Sequence, residues 1–178
     1  MGTQQFNLDN LRSMLERTPT VLTAWLSDLS DEFVRATEGE GTWSPYDVIG
    51  HLIHGERADW IPRARHILAG ETRPFDPFDR EAQFAESAGK SLAQLLEEFT
   101  ALRRESLLAL DEFQLTENDL NRTGQHPAFG TVTLAQLLAT WMVHDLDHLV
   151  QVARTIAKTQ SVNVGPWTAY LSVLRDRR

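Results

Sequence analysis

A chain of 178 residues with 42% hydrophobic residues can bury a core without covalent staples and is too apolar to stay disordered. Its net charge of −8 argues against sequence-independent binding to nucleic acid, which needs clustered Lys and Arg. The absence of cysteine excludes disulfides, thiolate nucleophiles and Cys-ligated zinc, so any metal must sit on His, Asp, Glu or water.

The N-terminal stretch MGTQQFNLDNLRSM has neither a basic n-region nor an apolar h-region, and Gly2 alone is a weak myristoylation signal. No apolar run reaches the length of a membrane span. These features predict a soluble, cytoplasmic protein with one domain over residues 1–178.

The first predicted helix covers about 8–30, where Leu8, Leu11, Leu15, Leu22, Trp25 and Leu26 recur at helical spacing; Pro19 interrupts it or marks its start. EGEGTW at 38–43 reads as a Gly-rich loop. A second helix starts with Ser44 as N-cap, Pro45 in the first position and Asp47 in the first turn, and runs to Ala69 with a kink at Pro62 and a stop at Gly70. Residues 70–89, with Pro74, Pro77 and several Phe, form a long connection with room for one helical turn, and are a candidate lid. The third helix, about 90–111, carries Leu92, Leu95, Leu96, Phe99, Leu102, Leu107 and Leu110, and RRES at 103–106 reads as its solvated face. TGQHPAFGTVT at 123–133 is turn-rich, with at most a brief extended piece at TVTL. Thr131 or Thr133 caps a fourth helix to about Lys158, and Gly165-Pro166 opens a short fifth helix before the basic tail RDRR. The fold class is therefore all-α: a four-helix bundle with a long crossover and a short C-terminal helix.

The chemistry concentrates in TWMVHDLDHLVQVA at 140–153. His144 and His148 stand at i and i+4 between Trp141 and Val152 on the apolar face, so both reach one point inside the bundle. A metal site needs a third ligand. The second helix offers His51 and His54, about 60° apart in projection. His51 is favoured because His54 is followed by the more polar Glu56 and Arg57. The bland alternative is a set of hydrogen-bonded core histidines. HDLDH also resembles the zincin motif H-E-x-x-H, but Asp145 is one methylene shorter than the required Glu and no further zincin element follows. Asp145 and Asp147 read as acceptors behind a ligand imidazole or as solvent-facing residues, the latter above all for Asp147. Gln151, one turn after His148, is placed to hydrogen-bond near the site. Trp43, Trp60, Trp141 and Trp167 read as core or pocket wall, and Arg63, Arg65 and Arg154 are candidates for an anionic substrate group. His66 and His126 fall at a helix end and in a loop.

WSPYDVIGHLIHGE at 43–56, the crossover, and HDLDHLVQVART at 144–155 together resemble the DinB-like superfamily, over about Leu8 to Lys158. The resemblance implies an up-down-down-up four-helix bundle, often dimeric, with a divalent metal held by three histidines that map onto His51, His144 and His148. His54 matches no ligand position. It also implies small-molecule substrates: relatives include mycothiol-dependent isomerases, bacillithiol-type S-transferases and metal-dependent hydrolases. Three imidazoles suit Zn²⁺, Ni²⁺, Fe²⁺ or Mn²⁺ and leave open positions. With no Cys in the chain, a low-molecular-weight thiol would have to come as a cofactor. The functions expected are a metal- and thiol-dependent transferase or isomerase, a metal-dependent hydrolase, or a non-enzymatic binder of metal or small ligand.

Overall fold

The computed structural model describes residues 6–175; Gly2 and the last three residues of the basic tail lie outside them. Helix α1 (Leu8–Leu26) is capped by Asn7, whose Oδ1 accepts from Asn10 N at 2.8 Å. It ends four residues earlier than the 8–30 expectation, because Asp28 takes a left-handed conformation (φ 62°) and 31–34 form a separate turn, α2 (Asp31–Val34). Pro19 neither starts nor breaks α1. The N–H it lacks would have bonded Leu15 O, and that carbonyl instead accepts Nη1 of Arg103 at 2.9 Å.

The predicted second helix is two helices, α3 (Pro45–Ala58) and α4 (Trp60–Ala69). Ser44 and Asp47 close a capping box at the start of α3. The break falls at Asp59 (φ −111°, ψ −74°), three residues before Pro62. Pro62 cannot donate to Ala58 O, so the interruption appears on its N-terminal side, and it then sits in the first turn of α4, where N–H groups are unneeded. Gly70 (φ 72°) supplies the left-handed cap that stops α4.

The connection holds one short helix, α5 (Ala82–Ser87), before α6 (Leu92–Glu112), whose N-cap Ser91 forms a capping box with Gln94. A turn, α7 (Glu117–Leu120), leads to a hairpin where the sequence predicts a turn-rich loop with at most a brief extended piece: β1 (Thr123–His126) pairs antiparallel with β2 (Gly130–Thr133), Gly124 opposite Val132. Its strands are short and polar and lack alternation, so the periodicity carries no strand signal. Thr133 caps α8 (Leu134–Thr159) in a capping box with Gln136, as expected. After α9 (Ser161–Val164) the chain makes two 3₁₀ turns rather than the predicted fifth helix. Trp167 and Tyr170 are 67% and 84% exposed, so no buried face sustains a longer helix there.

Two apolar clusters reveal the course of the bundle. One joins the N-terminal half of α1 (Leu11, Leu15), α4 (Trp60, Ile61), the C-terminal half of α6 (Leu107, Leu110) and the start of α8 (Leu134, Trp141). The other joins the end of α1 (Leu22, Leu26), α3 (Ile49, Leu52), the start of α6 (Leu95, Phe99) and Val152 late in α8. Helix α1 thus runs parallel to α8, and both run antiparallel to α3/α4 and α6: the up-down-down-up course. Among the described residues no helix is long and apolar enough to cross a membrane.

Between the clusters lies a buried polar layer. Arg103, 1% exposed, donates through Nε and Nη2 to Glu56 Oε1 (3.1 and 2.7 Å), through Nη1 and Nη2 to Asp145 (2.6 and 3.0 Å), and through Nη1 to Leu15 O. Trp141 Nε1 also donates to Glu56 Oε1 at 3.1 Å. RRES is therefore not a wholly solvated face: Arg103 and Ser106 are buried, and Arg104 and Glu105 are exposed. Replacing Arg103 by Met leaves two buried carboxylates without their cation, and the expected loss is about 3–5 kcal/mol in urea unfolding. An unchanged unfolding midpoint would count against the layer as a structural keystone.

Candidate metal centre

His51 projects from the middle of α3, and His144 and His148 from successive turns of α8, across the groove where these antiparallel helices meet. The three Nε2 atoms converge: those of His51 and His148 each lie 3.1 Å from that of His144. Nitrogen atoms about 2.0–2.1 Å from one ion stand about 2.8–3.4 Å apart in octahedral or tetrahedral geometry, so the two 3.1 Å separations fit a shared cation. Gln151 Oε1 accepts from His148 Nδ1 at 2.9 Å, which leaves His148 Nε2 as a bare lone pair. Nδ1 of His51 and of His144 is buried without a hydrogen-bond partner among the described residues. Converging lone pairs in a buried site repel one another unless a cation lies between them, and the donor set is one that divalent first-row metals accept.

The rings of His51 and His144 are held neutral. Burial above all, then the neighbouring His148, lowers His51 to about 3, and the same causes with His51 and Arg103 lower His144 to about 2. Neutral imidazole is the ligating form. Aromatic rings pack around the cluster: Trp43 at 4.7 Å from His51, Trp60 at 5.1 Å from His144 and Phe78 edge-on to His51 at 5.5 Å.

The open side of the cluster faces a cavity of about 750 Å³. One wall is the connection after α4 (Phe75, Pro77, Phe78 and Arg80), so the candidate lid does lie over the site. Another is the hairpin turn from His126 to Phe129, where His126 Nδ1 accepts from the backbone of Ala128 and Phe129 at 3.1 and 3.2 Å. The two walls are stitched together, since Phe75 N donates to Gln125 O at 2.8 Å.

Other expectations fare unevenly. His54 is as buried as His51 but turns away, Nδ1 lying 3.0 Å from Glu86 Oε1. Asp145 is neither behind an imidazole nor in solvent; it is 1% exposed and bound to Arg103. Asp147 is exposed on the cavity wall, and Gln151 takes its expected place beside His148. Trp43 is a wall residue, Trp60 and Trp141 stack in the core at 5.8 Å, and Trp167 is exposed, contrary to expectation. Arg63 reaches the cavity but is held by Asp59 at 2.7 Å, Arg65 is exposed elsewhere, and Arg154 is bound to Glu38 and to the backbone of Val173 and Arg175. His66 sits in the last turn of α4, as expected, with Nε2 2.9 Å from Arg73 O, whereas His126 ends β1. Phe78, Arg80 and Phe129 line the cavity from irregular segments, where no periodicity in the sequence marks them.

The DinB superfamily matches residues 14–152 of the chain. Two solved structures share the fold. YfiT from Bacillus subtilis, described as a probable metal-dependent hydrolase with an unusual four-helix bundle topology, is 21% identical with a TM-score of 0.75, covering 88% of this chain and 90% of that one. A mycothiol-dependent maleylpyruvate isomerase is 16% identical with a TM-score of 0.64, covering 92% of this chain and 72% of that one. No curated protein matches the chain by sequence.

Gly124 shows how tightly the cavity wall is built. A Cβ there would stand 2.6 Å from Phe75 Cζ and 2.8 Å from Ile67 Cγ1. Gly124→Ala must therefore push Phe75 out of the wall, with an expected cost of about 1–3 kcal/mol. Thermal unfolding checks this, and an unshifted midpoint would show that the wall yields freely.

Proposed function

The chain belongs to the DinB superfamily, and from that premise we propose that it is a divalent-metal-dependent enzyme acting on a small molecule, with His51, His144 and His148 as ligands. The observation that carries this reading is the convergence of three Nε2 atoms, those of His51 and His148 each 3.1 Å from that of His144 and all within 4.8 Å of one another, at the base of an aromatic-walled cavity. Zn²⁺, Ni²⁺, Fe²⁺ or Mn²⁺ suits three imidazoles. Such an ion would supply Lewis acidity toward a substrate oxygen or sulfur atom. The chain's own residues do the rest. Gln151 orients His148, Trp43 and Trp60 confine the rings, and the walls at 75–80 and 126–129 restrict water.

Within this class we favour thiol-dependent transfer or isomerisation. The chain has no cysteine, so the thiol would be a low-molecular-weight cofactor, and the cavity of about 750 Å³ has room for such a molecule beside a substrate. The likeness of fold to a mycothiol-dependent isomerase supports this reading. Hydrolysis is the second reading, supported by the likeness to YfiT, described as a probable metal-dependent hydrolase.

Elemental analysis of the purified protein should find about one metal ion per chain, lost in His148→Ala. No metal in the wild type, even after incubation with Zn²⁺, Ni²⁺ and Mn²⁺, would overturn the proposal. Gln151→Leu frees the His148 ring and should weaken metal affinity by about 10–100-fold in a competition titration. Turnover only with added thiol selects the transferase reading, turnover with metal and water alone selects the hydrolase, and metal binding without turnover selects a non-enzymatic binder.

A further inference from the structure

Imidazole ligands bring no negative charge to the point where they converge, so a divalent ion held there would keep its full charge. The surroundings add to it. Arg80, on the connection after α4, lines the same cavity as His51, His144 and His148. Arg80 lines the cavity, is exposed, and makes no hydrogen bond or ion pair with any described residue. The acidic side chains on the same wall are Asp59, which faces Arg63 at 2.7 Å, and Asp147, which is already engaged. The open face of the cluster therefore has one guanidinium, that of Arg80, without a hydrogen-bond or ion-pair partner among the described residues. Beyond it the wall turns aromatic. Phe78 packs on His51 and His54, Phe75 crosses the connection, and Phe129, 80% exposed, stacks on His126 at 4.5 Å. Leaving so large a ring exposed at a cavity wall makes sense where an apolar group covers it.

We propose that the cavity binds a small amphipathic carboxylate, its anionic head paired with Arg80 beside the open face of the histidine cluster and its aromatic or branched apolar body against Phe75, Phe78 and Phe129. The position of the head relative to an ion rests on the metal reading above; the pairing with Arg80 does not. A planar guanidinium takes a carboxylate through two parallel N–H donors, a geometry that a neutral amide cannot match.

Calorimetric titration with 4-phenylbutyrate and its neutral isostere 4-phenylbutanamide tests this, on zinc-loaded protein and on protein stripped by chelator, with metal content measured in each sample. The acid should bind about tenfold more tightly than the amide in both preparations. Arg80→Gln should bring the two affinities together without changing metal content, and Arg80→Lys should restore part of the preference. Equal affinities in the wild type, no binding of the acid at millimolar concentration, or a full preference surviving in Arg80→Gln would each overturn the proposal. Failure of the metal reading registers separately, as absence of zinc in the loaded sample, and the stripped protein still reports on Arg80.

Discussion

The structure turns on one buried cation. Arg103 stands in the middle of α6, between two apolar clusters, and all five of its N–H donors are used: on Glu56 of α3, on Asp145 of α8 and on the Leu15 carbonyl of α1. Each of the four long helices thus contributes to a single polar node. Burying such charges is costly, and the interaction is tolerable only when the geometry is complete. Burial raises the pKa of Glu56 against the opposing field of Arg103, which shows how much the node depends on that cation. Pro19 takes part without any polar side chain, because the N–H it lacks is what frees the Leu15 carbonyl.

This node also sets the stage for the histidine cluster. Asp145 is the residue after His144, so tying Asp145 to Arg103 fixes the rotation of α8 and turns His144 and His148 toward α3. Glu56 does the same for α3, five residues after His51 and on a different side of the helix. Apolar side chains alone would allow small rotations of the helices about their axes. A cation that must meet two carboxylates and a carbonyl allows far fewer. The histidines therefore meet because charges behind them are satisfied, a hydrogen-bonded support for a site whose own polar atoms are partly orphaned.

The cavity in front of the histidines is made differently. Its walls are the least regular parts of the chain: a proline-rich connection and a two-stranded hairpin, joined through Phe75 and Gln125. The rigid bundle supplies the three histidines, and the irregular segments wall the space in front of them. Arg80, Phe78 and Phe129 all belong to these segments, so the selectivity proposed here resides in pieces that can vary without disturbing the bundle.

Much of the bundle was legible in the sequence. Ser44, Ser91 and Thr133 cap helices through local hydrogen bonds, the apolar spacing marks α1, α3, α6 and α8, and the interval between His144 and His148 puts both on one face. These are properties of neighbouring residues, and neighbouring residues suffice to determine them. The sequence also held an unread signal: Glu56, Arg103 and Asp145 each occupy an apolar phase of their helix, as in Phe99, Arg103 and Leu107, and mutually compensating charges explain that pattern. What only the tertiary structure decided is which faces meet. His51 and His54 are equally buried, and the choice between them depends on how α3 is rotated against α8; the burial of Arg103 and Asp145, and the closing of 75–80 and 126–129 over the cluster, depend on the same long-range packing. A helical period assigns a residue to a face, but the partner of that face is set by contacts between segments far apart in the chain, and no local pattern records them.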